Sequence, residues 1–321
     1  MARAYGNNAH IGVAIETTYA TPVTTATDFL EIKSESWGLT EELSFSSTLN
    51  TRTARAPVEG KSSTAGEFEI EGCYTGMEEF IKAVMGSGST SGPNVDGQYT
   101  HTFALAEALP VGYTLQVNKD SSGGGTGIIY PGVQFNKMSI SQAIGEYAKV
   151  TFGGMGNGVE TTGSTMTSPS FAAFKGMKWS GISVLTLNNV TVPCRNIEFS
   201  IENALAEDVY KLGSKTRQEL KANGARKVAG KVECYFDGLT QYTLATAGTE
   251  FAAVFTWQGP LIAGSSYYEF SISLPKCRAT IETPKIGGPG PILLTLPYQA
   301  IQNAAANDEC VITLKNVKAA I

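Results

Sequence analysis

Alternating apolar and polar residues recur along this chain and predict a fold made largely of β-strands. The alternation is clearest at 67–71, where Phe68 and Ile70 point to one face of a strand and three glutamates point to the other. Three acids on one strand face repel one another unless they are solvated or paired. Comparable patterns predict strands at 29–36, 99–105, 113–117, 127–131, 134–142, 147–152, 183–187, 197–202, 231–235, 251–257, 267–274, 277–283, 292–298 and 311–316.

Two segments carry instead the spacing of a helix that packs on a sheet. In the first, 77–85, four apolar residues recur at i, i+3, i+4 and i+7. They are Met77, Phe80, Ile81 and Val84. Gly86 follows as a stop signal. The second segment is 239–247, so the predicted fold class is mainly β with one short flanking helix in each half.

The region around the first helix occurs a second time, about 160 residues later, because 51–86 matches 215–248. The matched pairs are Gly60 with Gly224, Gly66 with Gly230, Glu69 with Glu233, Gly76 with Gly238, Phe80 with Tyr242, Ala83 with Ala245 and Gly86 with Gly248. Each copy contains a glycine-rich loop, a short strand, a turn, a helix and a final glycine. The spacing is too long for a solenoid repeat and equals the size of a domain.

The repeat predicts two tandem domains, at 29–160 and 177–321, of one β-sandwich or partial-barrel type. Residues 161–176 end a stretch rich in Gly, Thr and Ser and are predicted as the linker. Residues 1–28 are polar, with Pro22 blocking a helix, and are predicted as an extended arm instead of a packed element. Two long polar loops, 38–63 and 204–229, are unusual unless functional or disordered. A β-hairpin that orders on contact with a partner would also explain the first.

The charge of the chain differs between its halves. Residues 1–160 carry 9 Lys and Arg against 17 Asp and Glu, a net of −8, and residues 161–321 carry 15 against 12, a net of +3. Two copies of one domain with opposite sign would attract each other across a contact, and drift on solvated surfaces is the alternative.

Membrane insertion and export are not predicted, because no run approaches 18 apolar residues and residues 1–10 lack an apolar leader core. The five cysteines are widely spread and form no CxxC pair. Their spacing predicts reduced, buried thiols in a protein made in the cytoplasm.

The sequence contains no convincing catalytic or metal-binding set. Neither His10 nor His101 has a Cys or carboxylate at ligand spacing, which argues against zinc and His-based catalysis. No Walker loop or GxSxG motif occurs, and the glycines of 153–158 lead into no predicted helix. We therefore expect no cofactor, no metal and no enzymatic activity.

Charged residues supply the candidate functional groups. The acidic candidates share strand faces, which are either the wet side of a half-exposed sheet or a surface that repels a polyanion; they are Glu67, Glu69, Glu71, Glu198, Glu202 and Glu233. The basic candidates are in or beside the two long loops: Arg52, Arg55, Lys61, Lys211, Lys215, Arg217, Lys221, Arg226 and Lys227. The second loop has Tyr210 as its one aromatic residue, so a contact between subunits is favoured over nucleic-acid binding.

The order of several segments resembles the major tail tube proteins of long-tailed, non-contractile (siphovirus-type) phages. The resemblance covers nearly the whole chain, and no single motif carries it. The segments are GVAIETTYATPVTTATDFLEIKSES (12–36), ARAPVEGKSSTAGEFEIEGCYTGMEEFIKAVMG (54–86), YTHTF (99–103), NIEFSIENALAEDVYKLGSKTR (196–217), YYEFSISLPK (267–276) and GGPGPILLTLPYQA (287–300).

This resemblance implies a structural protein of the virion, made in the cytoplasm of the host. Six tube domains of the family usually form a ring, and the rings stack into the tail tube that conducts DNA. Two domains per chain imply a homotrimeric, pseudo-hexameric ring with the acidic strand faces in the lumen. The implied partners are other copies of the chain, the tape-measure protein and phage DNA in the lumen, and tail terminator and distal tail proteins. No membrane partner is implied.

Simple geometry favours six domains, each giving about four strands to an inner barrel as in the family. Twenty-four strands spaced ~4.8 Å apart and tilted ~40° close into a barrel roughly 48 Å across, which admits a DNA duplex. Twelve strands would give about 24 Å, which is too narrow once side chains fill the rim, since the major groove alone is ~12 Å wide.

Two alternatives remain from the sequence. A related tail ring, such as a terminator or baseplate ring, would cap the tube and not polymerise. A carbohydrate-binding β-sandwich adhesin would use exposed tryptophans as stacking platforms, although core or interface packing is favoured for them. The tryptophans are Trp37, Trp179 and Trp257.

Overall fold

The computed structural model describes residues 9–47, 50, 53–54, 56–119, 127–164, 168–280 and 282–321. The strands are β1 His10–Ile15, β2 Asp28–Glu31, β3 Ser34–Glu35, β4 Gly38–Phe45, β5 Pro57–Glu71, β6 Gly86–Ser91, β7 Tyr99–Leu105, β8 Tyr113–Asn118, β9 Gly127–Ala143, β10 Lys149–Gly156, β11 Thr161–Ser164, β12 Ile182–Leu187, β13 Val190–Thr191, β14 Cys194–Glu202, β15 Lys227–Tyr235, β16 Phe251–Ala263, β17 Ser266–Ala279, β18 Leu293–Ala300 and β19 Val311–Asn316. The helices are α1 Glu78–Met85 and α2 Thr240–Thr246. The predictions of a mainly β fold and of both short helices are confirmed.

Eight antiparallel strands form one continuous sheet, called here the main sheet, in the order β4–β5–β10–β9–β14–β15–β18–β17. The first four strands come from the N-terminal half of the chain and the last four from the C-terminal half. The halves meet where β9 pairs with β14, so that Lys137 lies opposite Glu202 and Ala143 lies opposite Asn196.

The long strands β9 and β17 are shared with outer sheets. The first part of β9 lies between β8 and β11, and β1 and β2 continue that outer sheet. The first part of β17 lies between β16 and β19, with β12 and β13 beyond β16. The hairpin β6–β7 of the N-terminal half extends this second outer sheet by pairing with β19. The halves are therefore joined in both layers.

Strand pairing follows the same order in the two halves. The path β1–β8–β9–β10–β5–β4 has its counterpart in β12–β16–β17–β18–β15–β14. In sequence, α1 follows β5 and α2 follows β15, while the hairpin β6–β7 is an addition of the N-terminal half. This is the order that a tandem duplication would produce.

Two glycines matched by the repeat occupy equivalent places in these paths. A Cβ atom on Gly66 would lie 2.5 Å from Trp37 Cα, and one on Gly230 would lie 2.1 Å from Glu198 O. Each glycine is in the second strand of its hairpin, where the first strand passes too closely for a side chain.

The hydrophobic core lies behind the main sheet, and α1 packs into it. The Phe80 ring of α1 meets the rings of Phe68, Phe135 and Phe152, with centroids 5.6, 6.0 and 5.7 Å away. Such edge-on and tilted aromatic contacts add to the stabilisation that burial alone provides. Gly86 ends α1 with φ 90°, in the left-handed region that glycine favours.

Three predicted irregular segments contain strands instead. The loop predicted at 38–63 holds β4 and the start of β5, so the hairpin interpretation describes its fold better. Within the arm predicted at 1–28, β1 is a buried strand between β2 and β8. Its sequence HIGVAI is almost continuously apolar, as in fully buried strands. It therefore lacks the apolar–polar alternation that identifies a half-exposed strand. Residues 161–164 of the predicted linker form β11.

Candidate functional site: a polar face and two loops

One side of the main sheet is a polar surface, called here the polar face. On β5, Phe68 and Ile70 are buried in the core, while the alternate residues Glu67, Glu69 and Glu71 are partly or fully exposed on the other side. All six predicted glutamates lie on the polar face. Its residues are Glu67, Glu69, Glu71, Lys137, Ser139, Ser141, Lys149, Thr151, Gly153, Glu198, Ser200, Glu202, Lys227, Ala229, Lys231, Glu233, Arg278, Thr295, Pro297 and Gln299.

Strand register arranges these residues in rows that cross from one half of the chain to the other. One row is Glu71, Lys149, Ser141, Glu198 and Lys231. The next is Glu69, Thr151, Ser139, Ser200 and Ala229. A third is Glu67, Gly153, Lys137, Glu202 and Lys227. Most carboxylates therefore face a lysine or a small polar residue across the strand.

Lysines make the polar face less acidic than the sequence suggested. Lys231 Nζ lies 2.9 Å from Glu198 Oε1, and Glu202 stands between Lys137 and Lys227 in register. The six glutamates, the four lysines and Arg278, which is exposed in the row of Ala229 and Gln299, leave a formal charge of −1. These pairs are solvated, so each stabilises the fold by at most ~1 kcal/mol, and their main effect is on the surface charge.

Three of these lysines were not assigned to the polar face from the sequence. Lys137 and Lys149 stand at outward positions of predicted strands, and their alternation was the signal that could have identified them. Lys227 was placed in the second long loop, but it is the first residue of β15.

The second long loop lies against the N-terminal half of the same chain. Lys215 Nζ is 2.6 Å from Glu59 Oε2, and Lys61 Nζ is 2.5 Å from Asp208 Oδ1. The Lys215 ammonium lowers the pKa of Glu59, and Glu59 in turn raises the pKa of Lys215. Several of the predicted interface residues are thus engaged within the chain.

Two arginines of this loop bind backbone carbonyls of the N-terminal half. The Arg217 guanidinium donates to Thr64 O in the middle of β5 at 3.2 Å and to Gly156 O at the end of β10 at 3.4 Å. Arg226 Nε donates to Asn203 Oδ1 at 2.9 Å, and its Nη2 donates to Ala106 O. These contacts fasten the loop across the joint between the halves.

The remaining basic candidates differ in position. Lys221 lies 3.9 Å from Glu219 within its own loop, and Lys211 is exposed. Arg52 and Arg55 lie outside the described residues.

The hairpin β4–β5 projects beyond the rest of the main sheet and exposes apolar side chains. Pairing with β10 ends at Thr64, whereas pairing with β4 continues to Pro57. Leu43, Phe45 and Val58 are 56, 60 and 55% exposed on this projecting part. Such a patch on one hairpin is typical of an interaction surface.

The tryptophans, the possible metal ligands and the helices can each be compared with the roles considered for them from the sequence. Trp37 and Trp257 are buried, so neither is a surface platform for sugar stacking, while Trp179 is half exposed. The described residues include no group of three or more His, Cys, Asp or Glu side chains that could hold a metal ion. No described helix is long and apolar enough to cross a membrane.

Comparison with known families decides the class of the protein. The sequence model of a family described as phage tail tube protein matches residues 6–300. The chain belongs to the phage tail tube protein family. No curated protein sequence matched it. Membership makes this a structural protein of a phage tail tube, located in the tail of the virion and assembled with other copies and tail components.

Proposed function

We propose that three chains form a pseudo-hexameric ring and that stacked rings form the tail tube of a siphovirus-type phage. The observation that carries this proposal is the main sheet, to which each half contributes four strands in the same order. Three chains supply the twenty-four strands of a barrel roughly 48 Å across. The two halves of each chain are then tandem tube domains that alternate around the ring.

The polar face is the wall of the lumen in this proposal. Ser, Thr and Gly separate its charges, and the formal charge of −1 per chain leaves no cationic stripe. Binding to DNA gains most of its affinity when cationic side chains release counterions from phosphates. A slightly acidic wall avoids that gain, so DNA and the tape-measure protein pass without being held.

In this proposal the second long loop lies at the contact between the two halves of a chain, and the projecting hairpin lies at the contact between stacked rings. The loop fastens the two halves within a chain through Arg217 and Lys215. The exposed apolar residues of the β4–β5 hairpin suit a contact with the next ring, which would exclude water from about three large side chains. Tail terminator and distal tail proteins bind the ends of the stack.

Light scattering and electron microscopy of the purified protein test the proposal. We expect a ring of ~102 kDa, three times 34.0 kDa, and tubes with an open lumen as the concentration rises. A stable monomer at high concentration would refute it. Rings that never stack would favour a terminator or baseplate ring instead. A ring of six chains would reject the trimer but retain the tube.

A further inference from the structure

The two halves of the chain are joined by strand pairing, and neighbouring chains in a ring would need an equivalent pairing. Within the chain, the last main-sheet strand of the N-terminal half, β9, pairs with the first strand of the C-terminal half, β14. The equivalent strands in a ring are the end of β17 in one copy and β3–β4 in the next. Neither has that partner in a single chain: β3 and β4 pair with β5 alone among the described residues.

The segment after β17 is exposed where its counterpart in β9 is a paired strand. In β9, Ser139 lies between Thr151 of β10 and Ser200 of β14. In the C-terminal half, residues 282–287 follow β17 outside any strand, and Ile286 is 80% exposed. Thr280 N–H nevertheless donates to Pro297 O at 2.8 Å, so the ladder with β18 continues beyond the end of β17.

Residue equivalence gives the register of the missing pairing. Thr151 lies opposite Glu69 and Thr295 lies opposite Glu233, so the two threonines hold equivalent positions. Cys277 lies opposite Ala300 and Ala279 lies opposite Tyr298, and continuing this register by count puts Glu282 opposite Thr295, in the place of Ser139.

The partner of Glu282 follows in the same way. Ser200 lies opposite Ala229 and Gly38 lies opposite Ala65, so Gly38 takes the place of Ser200. A second copy of the chain therefore brings its Gly38 beside Glu282.

The edge at 36–39 directs backbone groups away from its own hairpin. Ser36 N–H donates to Glu67 O at 2.9 Å, toward that hairpin. Because N–H directions alternate along a strand, those of Trp37 and Leu39 point away from β5. In the single chain Trp37 N–H donates to the Glu35 carboxylate at 2.9 Å, which a partner strand would have to displace. Pro284 then falls opposite Ser36, whose N–H and C=O face its own hairpin, so a proline at that position removes no bond across the joint.

We infer that residues 282–287 of one copy become a strand on the 33–38 edge of the next, with Glu282 opposite Gly38. This inference rests on the proposed ring and adds its closing contact. The segment is left open in the single chain because its strand partner is another copy of the protein.

Disulfide trapping in assembled protein tests the register. Gly38 has no atom within 4 Å of an added Cβ, so cysteine fits there. Gly38 and Glu282 would form a non-hydrogen-bonded pair, whose Cβ atoms lie ~4.5–5.5 Å apart and permit a disulfide after a small shift. We expect the double variant Gly38→Cys/Glu282→Cys to give covalent dimers and trimers on mild oxidation. Gly38→Cys/Thr283→Cys is the matched control, because side chain 283 points to the other face.

The outcomes distinguish failure of the proposed strand pairing from failure of the proposed ring. Rings that form normally but show no cross-link, or that cross-link equally in the control, overturn the register and leave the proposed function standing. Absence of rings in the unmodified protein refutes the proposed function and the joint with it. Thr283→Pro adds an independent check: it removes the N–H that would face Trp37 across the joint, so rings should be lost while the monomer keeps its circular dichroism. Thr283→Ala, which retains the N–H, should still form rings.

Discussion

A buried polar cluster offers the sharpest test of how the halves are held together. Asn316, at the end of β19, is fully buried and accepts a bond from His101 Nε2 at 3.0 Å. Its side-chain amide donates to Tyr74 O at 2.8 Å and to Glu78 Oε1 at 2.6 Å. Glu78 begins α1 and is also fully buried. The last strand of the chain is therefore bonded to the first helix.

Asn316→Ala removes these bonds and leaves several buried groups without their partner. Each unsatisfied buried group costs about 1–3 kcal/mol. Glu78 keeps its bonds with Gly76 and Lys318, so we expect a total loss of ~3–5 kcal/mol in the free energy of unfolding, near the low end of the sum for the groups left unpaired. Asn303→Ala, at an exposed position of the same C-terminal region, should change it by less than about 0.5 kcal/mol.

Urea denaturation at a concentration that keeps the chain monomeric measures this loss. Trp37 and Trp257 are buried in different halves, so single-tryptophan variants report each half separately. We expect both transitions to move together. A loss below about 1 kcal/mol, or movement of one transition alone, would refute the idea that the cluster couples the halves. A double-mutant cycle with Glu78→Gln should show that the two substitutions are not additive.

Further predictions concern packing, pH, thiols and charge. Gly230→Ala forces a Cβ against β14 and should destabilise the chain by ~1–3 kcal/mol, whereas Gly224→Ala, whose nearest neighbour is 3.4 Å away, should not. Burial alone would lower the pKa of Lys318, but Glu78 and Asp28 outweigh burial and raise that pKa. Stabilisation by Lys318, measured against Lys318→Met, should therefore hold below pH ~10.5 and disappear as the pH rises through the raised pKa. Burial raises the pKa of Cys73 to about 12, so iodoacetamide at pH 8 should modify it only after unfolding, as mass spectrometry would show. Glu67→Lys/Glu69→Lys changes the polar face from −1 to +3 and should make tubes retain DNA in a salt-dependent way; unchanged retention would contradict the lumen assignment.

Much of the fold could be predicted because its signals are local. Helix α1 follows from apolar spacing and Gly86, and the polar side of β5 follows from strict alternation. The strand β1 was missed because a fully buried strand shows no alternation. The strand β4 was missed because a register shift between Glu41 and Leu43 interrupts its period.

The charge of the candidate site could be predicted only in part, because it depends on long-range register. Glu198 and Lys231 are recognisable as strand residues, but that they face each other at 2.9 Å depends on how β14 pairs with β15. The basic loop shows the same limit. Its lysines and arginines are plain in the sequence, but Glu59, which Lys215 contacts, and Thr64, which Arg217 contacts, lie 156 and 153 positions away.

The two kinds of joint explain why such a chain would treat its halves differently. The joint inside the chain never has to open, so it is reinforced in both layers by β7 with β19 and by the Arg217 and Asn316 contacts. In the proposed ring, the joint between chains forms only on assembly. An exposed strand edge that is ready to pair invites uncontrolled association. Pro284 and the turn GGPGP at 287–291 keep the segment after β17 from being a ready-made strand. Assembly then requires the correct edge of a second copy to order it, which favours closure of the ring over open aggregation.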